Sequence, residues 1–170
     1  GEGGGCLFDY ASHVINLIQE IVGRPVVAEG ASLKKIYSKD VEDAVYSVLK
    51  LESGLTGILS VNWSDETYRK MSTSISVIGE RGKMICDATE LKIYLKEPVK
   101  NEKLDRGWTI KYITELAIPV DFYLRGEEYS AQIDYFVKNV TSGRQPEINT
   151  FRQALETDRA MELIIADSKR

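Results

Sequence analysis

The sequence predicts an α+β fold: a mostly antiparallel, open-faced sheet with helices packed on one face. Three observations predict it. Apolar residues recur at helical spacing at the start, alternate with polar residues through the middle, and return to helical spacing in the last third. With 170 residues, 43% hydrophobic and 28% charged, the chain has the size and composition of a single globular domain spanning residues 1–170.

In the opening segment Leu7, Ala11, Val14, Ile18, Ile21 and Val22 predict a helix over 7–22, stopped by Gly23 and by Pro25 two residues later. Residues 26–37 are mixed and β-prone, and 43–51 read as a strand. After a Ser53-Gly54 turn, Leu55, Gly57, Leu59, Val61 and Trp63 share one face, against Thr56, Ser60 and Asn62, which makes a half-buried antiparallel hairpin. Thr73, Ile75 and Val77 alternate with serines, and Arg81-Gly82 turns the chain into 83–87, a second hairpin. Leu91, Ile93 and Leu95 form a short strand, and the charged segment 97–106 reads as a surface loop. Ile110, Tyr112, Leu116, Ile118 and Val120 share one parity, predicting a long strand with Pro119 near its end. Tyr129, Ile133, Phe136, Val137 and Val140 then mark an amphipathic helix stopped by Gly143 and Pro146. Thr150 and Gln153 form a capping box for a last helix with the stripe Phe151, Ala154, Leu155, Met161, Leu163 and Ile165.

Charge and composition exclude several classes. Twenty-two basic against 26 acidic residues give a net charge of −4, and no basic stripe for nucleic acid is present. No apolar run is long enough to cross a bilayer, so a cytoplasmic protein with no membrane partner is expected. Cys6 and Cys86 have no metal-type spacing, and reduced thiols are expected. The start within a glycine cluster, without Met, is expected of a piece of a longer protein.

His13 is the single histidine, and Asp9 lies one helical turn before it. A carboxylate in that position can hold the imidazole tautomer and stabilise its cation, as a general base near neutral pH requires. The same spacing suits two ligands of a divalent ion, or a solvated structural pair. No further ligands are evident, so no metal site is assigned. Trp63, Tyr68 and Arg69 follow a strand end, where a loop can stack on and hydrogen-bond a substrate, although aromatics there also close cores. Tyr46, Val48, Ile58 and Ile78 fall on the sheet face opposite the helices, which predicts a homo-oligomer formed through that face.

The string Gly3-Gly4-Gly5-Cys6-Leu7-Phe8-Asp9-Tyr10-Ala11-Ser12-His13 resembles the start of the C-terminal domain in the glucose-fructose oxidoreductase, inositol dehydrogenase and MocA (Gfo/Idh/MocA) superfamily, commonly GGG-x-L-x-D-x-G-x-H-x-x-D. The resemblance continues through Glu42-Asp43-Ala44, Ser53-Gly54, Asn62-Trp63, the turn from Ile78 to Gly82, and the late helix with Gln132 and Phe136. Ala11 stands where the family usually has Gly. Asn16 replaces a second Asp, and its amide can bond a substrate hydroxyl or a neighbouring backbone group.

The resemblance implies the substrate-binding and catalytic domain of an NAD(P)-dependent oxidoreductase acting on a sugar, sugar derivative or polyol. His13 would be general acid/base, oriented by Asp9, with Asn16 among the substrate-binding residues. NAD or NADP would be bound mainly by an N-terminal Rossmann domain that also supplies a lysine. This chain has no G-x-G-x-x-G after a strand, so no residue here is assigned to the cofactor and the isolated chain is expected to be inactive. The alternative is a non-catalytic oligomerisation or ligand-binding module that uses the open sheet face.

Overall fold

The computed structural model of the chain describes residues 4–68, 71–122 and 127–170. They fall into two compact units, one of residues 1–69 and 146–170, the other of residues 70–145. The strands are antiparallel throughout and divide between a three-stranded and a four-stranded sheet.

The first unit opens with a π-helical turn, Leu7–Ala11, that runs directly into α1 (Ser12–Val22). The expected helix over 7–22 therefore forms, but its first turn is wide: the Ser12 N–H donates to the Leu7 carbonyl, five residues back. Gly23 ends α1 at φ +109°, and its N–H donates to the Ile18 carbonyl (3.2 Å). Strands β1 (Pro25–Lys34), β2 (Ala44–Leu51) and β3 (Thr56–Asn62) then pair in sequence order. On β2 and β3 the alternation sends Val45, Leu49, Leu59 and Val61 inward, with Val45 directly opposite Val61.

That inner face packs against Cys6, Leu7, Ala11 and Ile15 from the opening helix, and against Ala160, Met161 and Ile164 from α4 (Phe151–Asp167). Each fully buried Leu or Ile contributes about 1.5–3 kcal/mol, so these few side chains hold the unit together. The opposite face carries Tyr46, Val48 and Ile58, with Ile58 83% exposed. Within this unit the expectation of an open-faced sheet with helices on one side is met.

The capping box at Thr150 forms as expected: the Gln153 N–H donates to Thr150 Oγ1 (3.2 Å), and the Thr150 N–H donates to Gln153 Oε1 (2.9 Å). The buried stripe of α4 differs from the expected one. Thr157, Ala160, Met161 and Ile164 face the core, whereas Phe151 is 98% exposed and Leu155 is also on the surface. The buried set is spaced i, i+3, i+4, i+7, a cleaner helical face than the one chosen on hydrophobicity alone. Polar ties seal its edges: Gln19 Nε2 donates to Thr157 Oγ1 (2.7 Å), the Ala31 N–H to Asp167 Oδ2 (2.8 Å), and Arg24 bridges Glu52 and Glu156.

The second unit is a meander of β4 (Ile75–Gly79), β5 (Gly82–Cys86), β6 (Glu90–Leu95) and β7 (Gly107–Tyr112). At Gly82 the β6 backbone comes so close that a Cβ would lie 2.0 Å from the Tyr94 carbonyl oxygen. The segment 97–106 closes on itself through a bridge between Val99 and Leu104. The long strand expected over 110–120 does not form. β7 stops at Tyr112, and a helical turn, α2 (Ile113–Leu116), follows. The Ile113 N–H still donates to the Thr89 carbonyl (2.8 Å), one step beyond the Glu90–Tyr112 pair, and the Glu115 carboxylate takes the Tyr112 N–H (2.9 Å) as the cap of the helical turn that follows. Helix α3 (Glu127–Ser142) covers the predicted late helix, with an ion pair between Asp134 and Lys138 on its surface.

Candidate active site

Asp9 sits in the π-helical turn and His13 at the start of α1. Both are exposed, while Cys6, Leu7, Ala11 and Ile15 on the other side of the same helix are wholly buried. The apolar stripe thus turns the two polar side chains outward. Among the described residues no hydrogen bond or ion pair joins Asp9 to His13, so each is open to an external group. Asn16 is half-buried on α1, just under one turn beyond His13.

The other predicted residues fare differently. Trp63 is half-buried and meets Tyr10 edge to face, with centroids 5.9 Å apart and planes at 87°. Its backbone N–H donates to the Asp43 carbonyl (3.1 Å). The indole therefore braces the opening helix against the end of β3. Tyr68 is exposed, in a loop tightened by Asp65, whose Oδ1 accepts from the Thr67 N–H (2.9 Å). Arg69 lies outside the described residues. Among the described residues no group of three His, Cys, Asp or Glu could hold a metal ion.

Two residues that sequence reasoning gave no role hold this end of the unit in place. The Glu42 carbonyl accepts from the Cys6 N–H (2.9 Å), and its carboxylate Oε1 accepts from the Leu7 N–H (3.2 Å). Gly5 permits that approach, because a Cβ there would lie 2.2 Å from the Glu42 carboxyl carbon. Asp43 is fully buried and accepts three successive backbone donors: Ile36 N–H at Oδ1 (2.8 Å), and Tyr37 N–H (2.7 Å) and Ser38 N–H (2.6 Å) at Oδ2. Burial alone raises its pKa, but these donors outweigh that and hold the carboxyl below its ordinary range. The available signal was an acidic pair directly before an apolar strand, where at least one carboxylate must enter the core and find donors. Nearby, burial first, then Glu42 and Asp43, pushes the Cys6 thiol up to about 12, so it is a packing group at neutral pH.

Residues 1–85, which include the helix with Asp9 and His13 and all of β1–β3, match the family described as the GFO/IDH/MocA C-terminal domain. The chain belongs to this family. No curated protein sequence matches it. Among solved structures, levoglucosan dehydrogenase in complex with NADH and levoglucosan is similar in fold, with a TM-score of 0.81 at 19% identity over 98% of this chain and 49% of that one. An oxidoreductase from Agrobacterium radiobacter in complex with NAD+, L-tartaric acid and magnesium gives a TM-score of 0.73 at 18% identity, over 96% of this chain and 47% of that one. The WlbA dehydrogenase from Bordetella pertussis, in complex with NADH and UDP-GlcNAcA, gives 0.66 at 18% identity, over 98% of this chain and 43% of that one. The GFO/IDH/MocA domain described here therefore spans about half the length of these structures.

The described residues form no dinucleotide cradle. Both sheets are antiparallel, and among the described residues no strand leads through a glycine-rich turn into a helix as a pyrophosphate cradle requires. No described helix is long and apolar enough to cross a membrane.

Proposed function

We propose that this domain supplies the substrate side of an NAD(P)-dependent oxidoreductase acting on a hydroxyl of a sugar, sugar derivative or polyol, with His13 as its general acid/base. The observation that carries this reading is the outward projection of the lone histidine and Asp9 from a helix whose other side is wholly buried, within the segment that matches the family. The neutral imidazole accepts the hydroxyl proton as the carbon is oxidised, which avoids a protonated carbonyl product. Asp9 stands one turn before it and favours the imidazolium once formed. Asn16, Tyr68 from the loop after β3, and Arg69 are proposed to contact substrate hydroxyls. The two-electron acceptor is a nicotinamide held by a domain other than this one, and residues 1–170 alone are expected to be inactive.

In an enzyme that joins this domain to its nicotinamide-binding domain, His13→Ala lowers turnover by about 100- to 10,000-fold, followed as nicotinamide reduction. Wild-type turnover in that variant would remove the base.

The exposed apolar residues on the outer face of β2 and β3 favour a second property, association of copies of the chain through that face. Ile58, 83% exposed, stands directly opposite Val48, with Tyr46 opposite Ser60 beside them. Sedimentation is expected to show an oligomer that Ile58→Glu dissociates, and a monomer at micromolar concentration for the unaltered chain would refute it.

A further inference from the structure

We infer that Glu42 is a positioning residue: it grips the first turn of the opening helix and so sets where Asp9 and His13 stand, an inference that rests on the base proposed above. The first amides of a helix have no partner within it. Here two successive ones, Cys6 N–H and Leu7 N–H, are both taken by Glu42, one by its carbonyl (2.9 Å) and one by its carboxylate (3.2 Å). A negative group at this end of a helix is also favoured by the helix dipole.

Leu7 links this grip to the site. Its N–H is held by Glu42, and its carbonyl accepts the Ser12 N–H that closes the wide π turn. Asp9 lies inside that turn, and His13 follows Ser12 directly. The buried stripe of Cys6, Leu7, Ala11 and Ile15 fixes which side of the helix faces inward. It does not by itself dictate a five-residue first turn, because apolar contacts are non-directional.

Glu42 can impose that register because it is itself held. The next residue, Asp43, locks its carboxylate on the amides of Ile36, Tyr37 and Ser38, and its own N–H donates to the Lys34 carbonyl (2.9 Å). Gly5 leaves room for the Glu42 chain to approach, as the 2.2 Å spacing to a hypothetical Cβ shows. A general base displaced by about 1 Å loses about 100-fold in rate, so a hydrogen-bonded strap remote from the substrate can control catalysis.

The test compares Glu42→Ala, which removes the carboxylate, with Glu42→Gln, which keeps an acceptor for Leu7 and guards against a simple failure to fold. In the chain of 170 residues, amide hydrogen exchange at Leu7 and Ser12 should accelerate by about tenfold or more in Glu42→Ala and far less in Glu42→Gln. In the enzyme joined to its nicotinamide-binding domain, Glu42→Ala should lower kcat by about 10- to 100-fold with KM within about twofold, while Glu42→Gln stays within about threefold of the parent. Unchanged exchange, unchanged kcat in Glu42→Ala, or equal losses in both variants would overturn the inference. His13→Ala separates the two ideas: if it abolishes turnover while Glu42→Ala does not, the base stands and the positioning role falls. If His13→Ala is fully active, the base falls and the catalytic role of Glu42 falls with it.

Discussion

Replacing Gly5 by Ala tests the tightest contact in the first unit. A Cβ at this position would lie 2.2 Å from the Glu42 carboxyl carbon, 2.3 Å from its carbonyl oxygen and 2.4 Å from Oε1. Ordinary van der Waals contact begins near 3.4 Å, so helix and strap must separate by about 1 Å. The Cys6 to Glu42 hydrogen bond is 2.9 Å and would stretch well beyond bonding distance. Forced expansion of a packed site costs about 1–3 kcal/mol, and each lost hydrogen bond adds about 0.5–1.5 kcal/mol. With both hydrogen bonds to Glu42 lost, the expected total is about 2–6 kcal/mol.

The side chain can swing away, but the carbonyl cannot. Gly5→Ala in a Glu42→Gly background should therefore recover less than half of the loss, because the 2.3 Å approach to the carbonyl oxygen remains. The chain has two tryptophans, one in each unit, so urea unfolding followed by Trp63 fluorescence in a Trp108→Phe background reports on the first unit alone. A Gly5→Ala stability within about 0.5 kcal/mol of the parent would refute the reasoning, since that is the range of an unconstrained surface change.

Asp43→Asn replaces an oxygen that accepts two amides with an NH2 group facing the same donors, and the first unit should lose stability at neutral pH. Because the folded state lowers the Asp43 pKa, its contribution is complete above the unfolded value of about 3.9 and is lost as pH falls through the folded value. The urea midpoints of parent and variant should therefore converge in acid, and a gap independent of pH would contradict this. Cys6 is buried with its thiol pushed up to about 12, whereas Cys86 is exposed. Iodoacetamide should label Cys86 alone in the native chain and both thiols in urea, as read by mass spectrometry; rapid native labelling of Cys6 would count against its burial. Gly82→Ala should open the β5–β6 ladder, because the atom met at 2.0 Å is the Tyr94 backbone oxygen. A loss of about 1–3 kcal/mol is expected, read from Trp108, whose ring lies 5.3 Å from that of Tyr94.

The sequence was most legible where a single local period governs. Alternation placed β2, β3, β5 and β6 within a residue or so, and Gly23, Pro25 and the Thr150–Gln153 box marked helix ends that form as read. It misled where parity continued beyond the hydrogen-bonded ladder. Leu116, Ile118 and Val120 keep step with β7, yet β7 stops at Tyr112, where the Glu115 carboxylate caps the Tyr112 N–H and opens the helical turn of α2. It misled again on α4, where Phe151 and Leu155 satisfy a hydrophobic stripe by type and not by position, and lie exposed.

The same division runs through the candidate site. Residue type and spacing alone put Asp9 and His13 on one outward side of one helix, because helical geometry converts a spacing of four residues into a shared face. Tertiary structure alone decided that the first turn is wide, that Glu42 straps it through the space above Gly5, that Asp43 anchors the strap, and that Trp63 braces Tyr10. The strap by Glu42 and the brace by Trp63 join residues 35 or more positions apart, and no local period encodes them. They exist because two strands and a helix, each predictable by itself, meet at one end of a sheet and leave backbone donors that the Glu42 carbonyl and the Glu42 and Asp43 carboxylates accept.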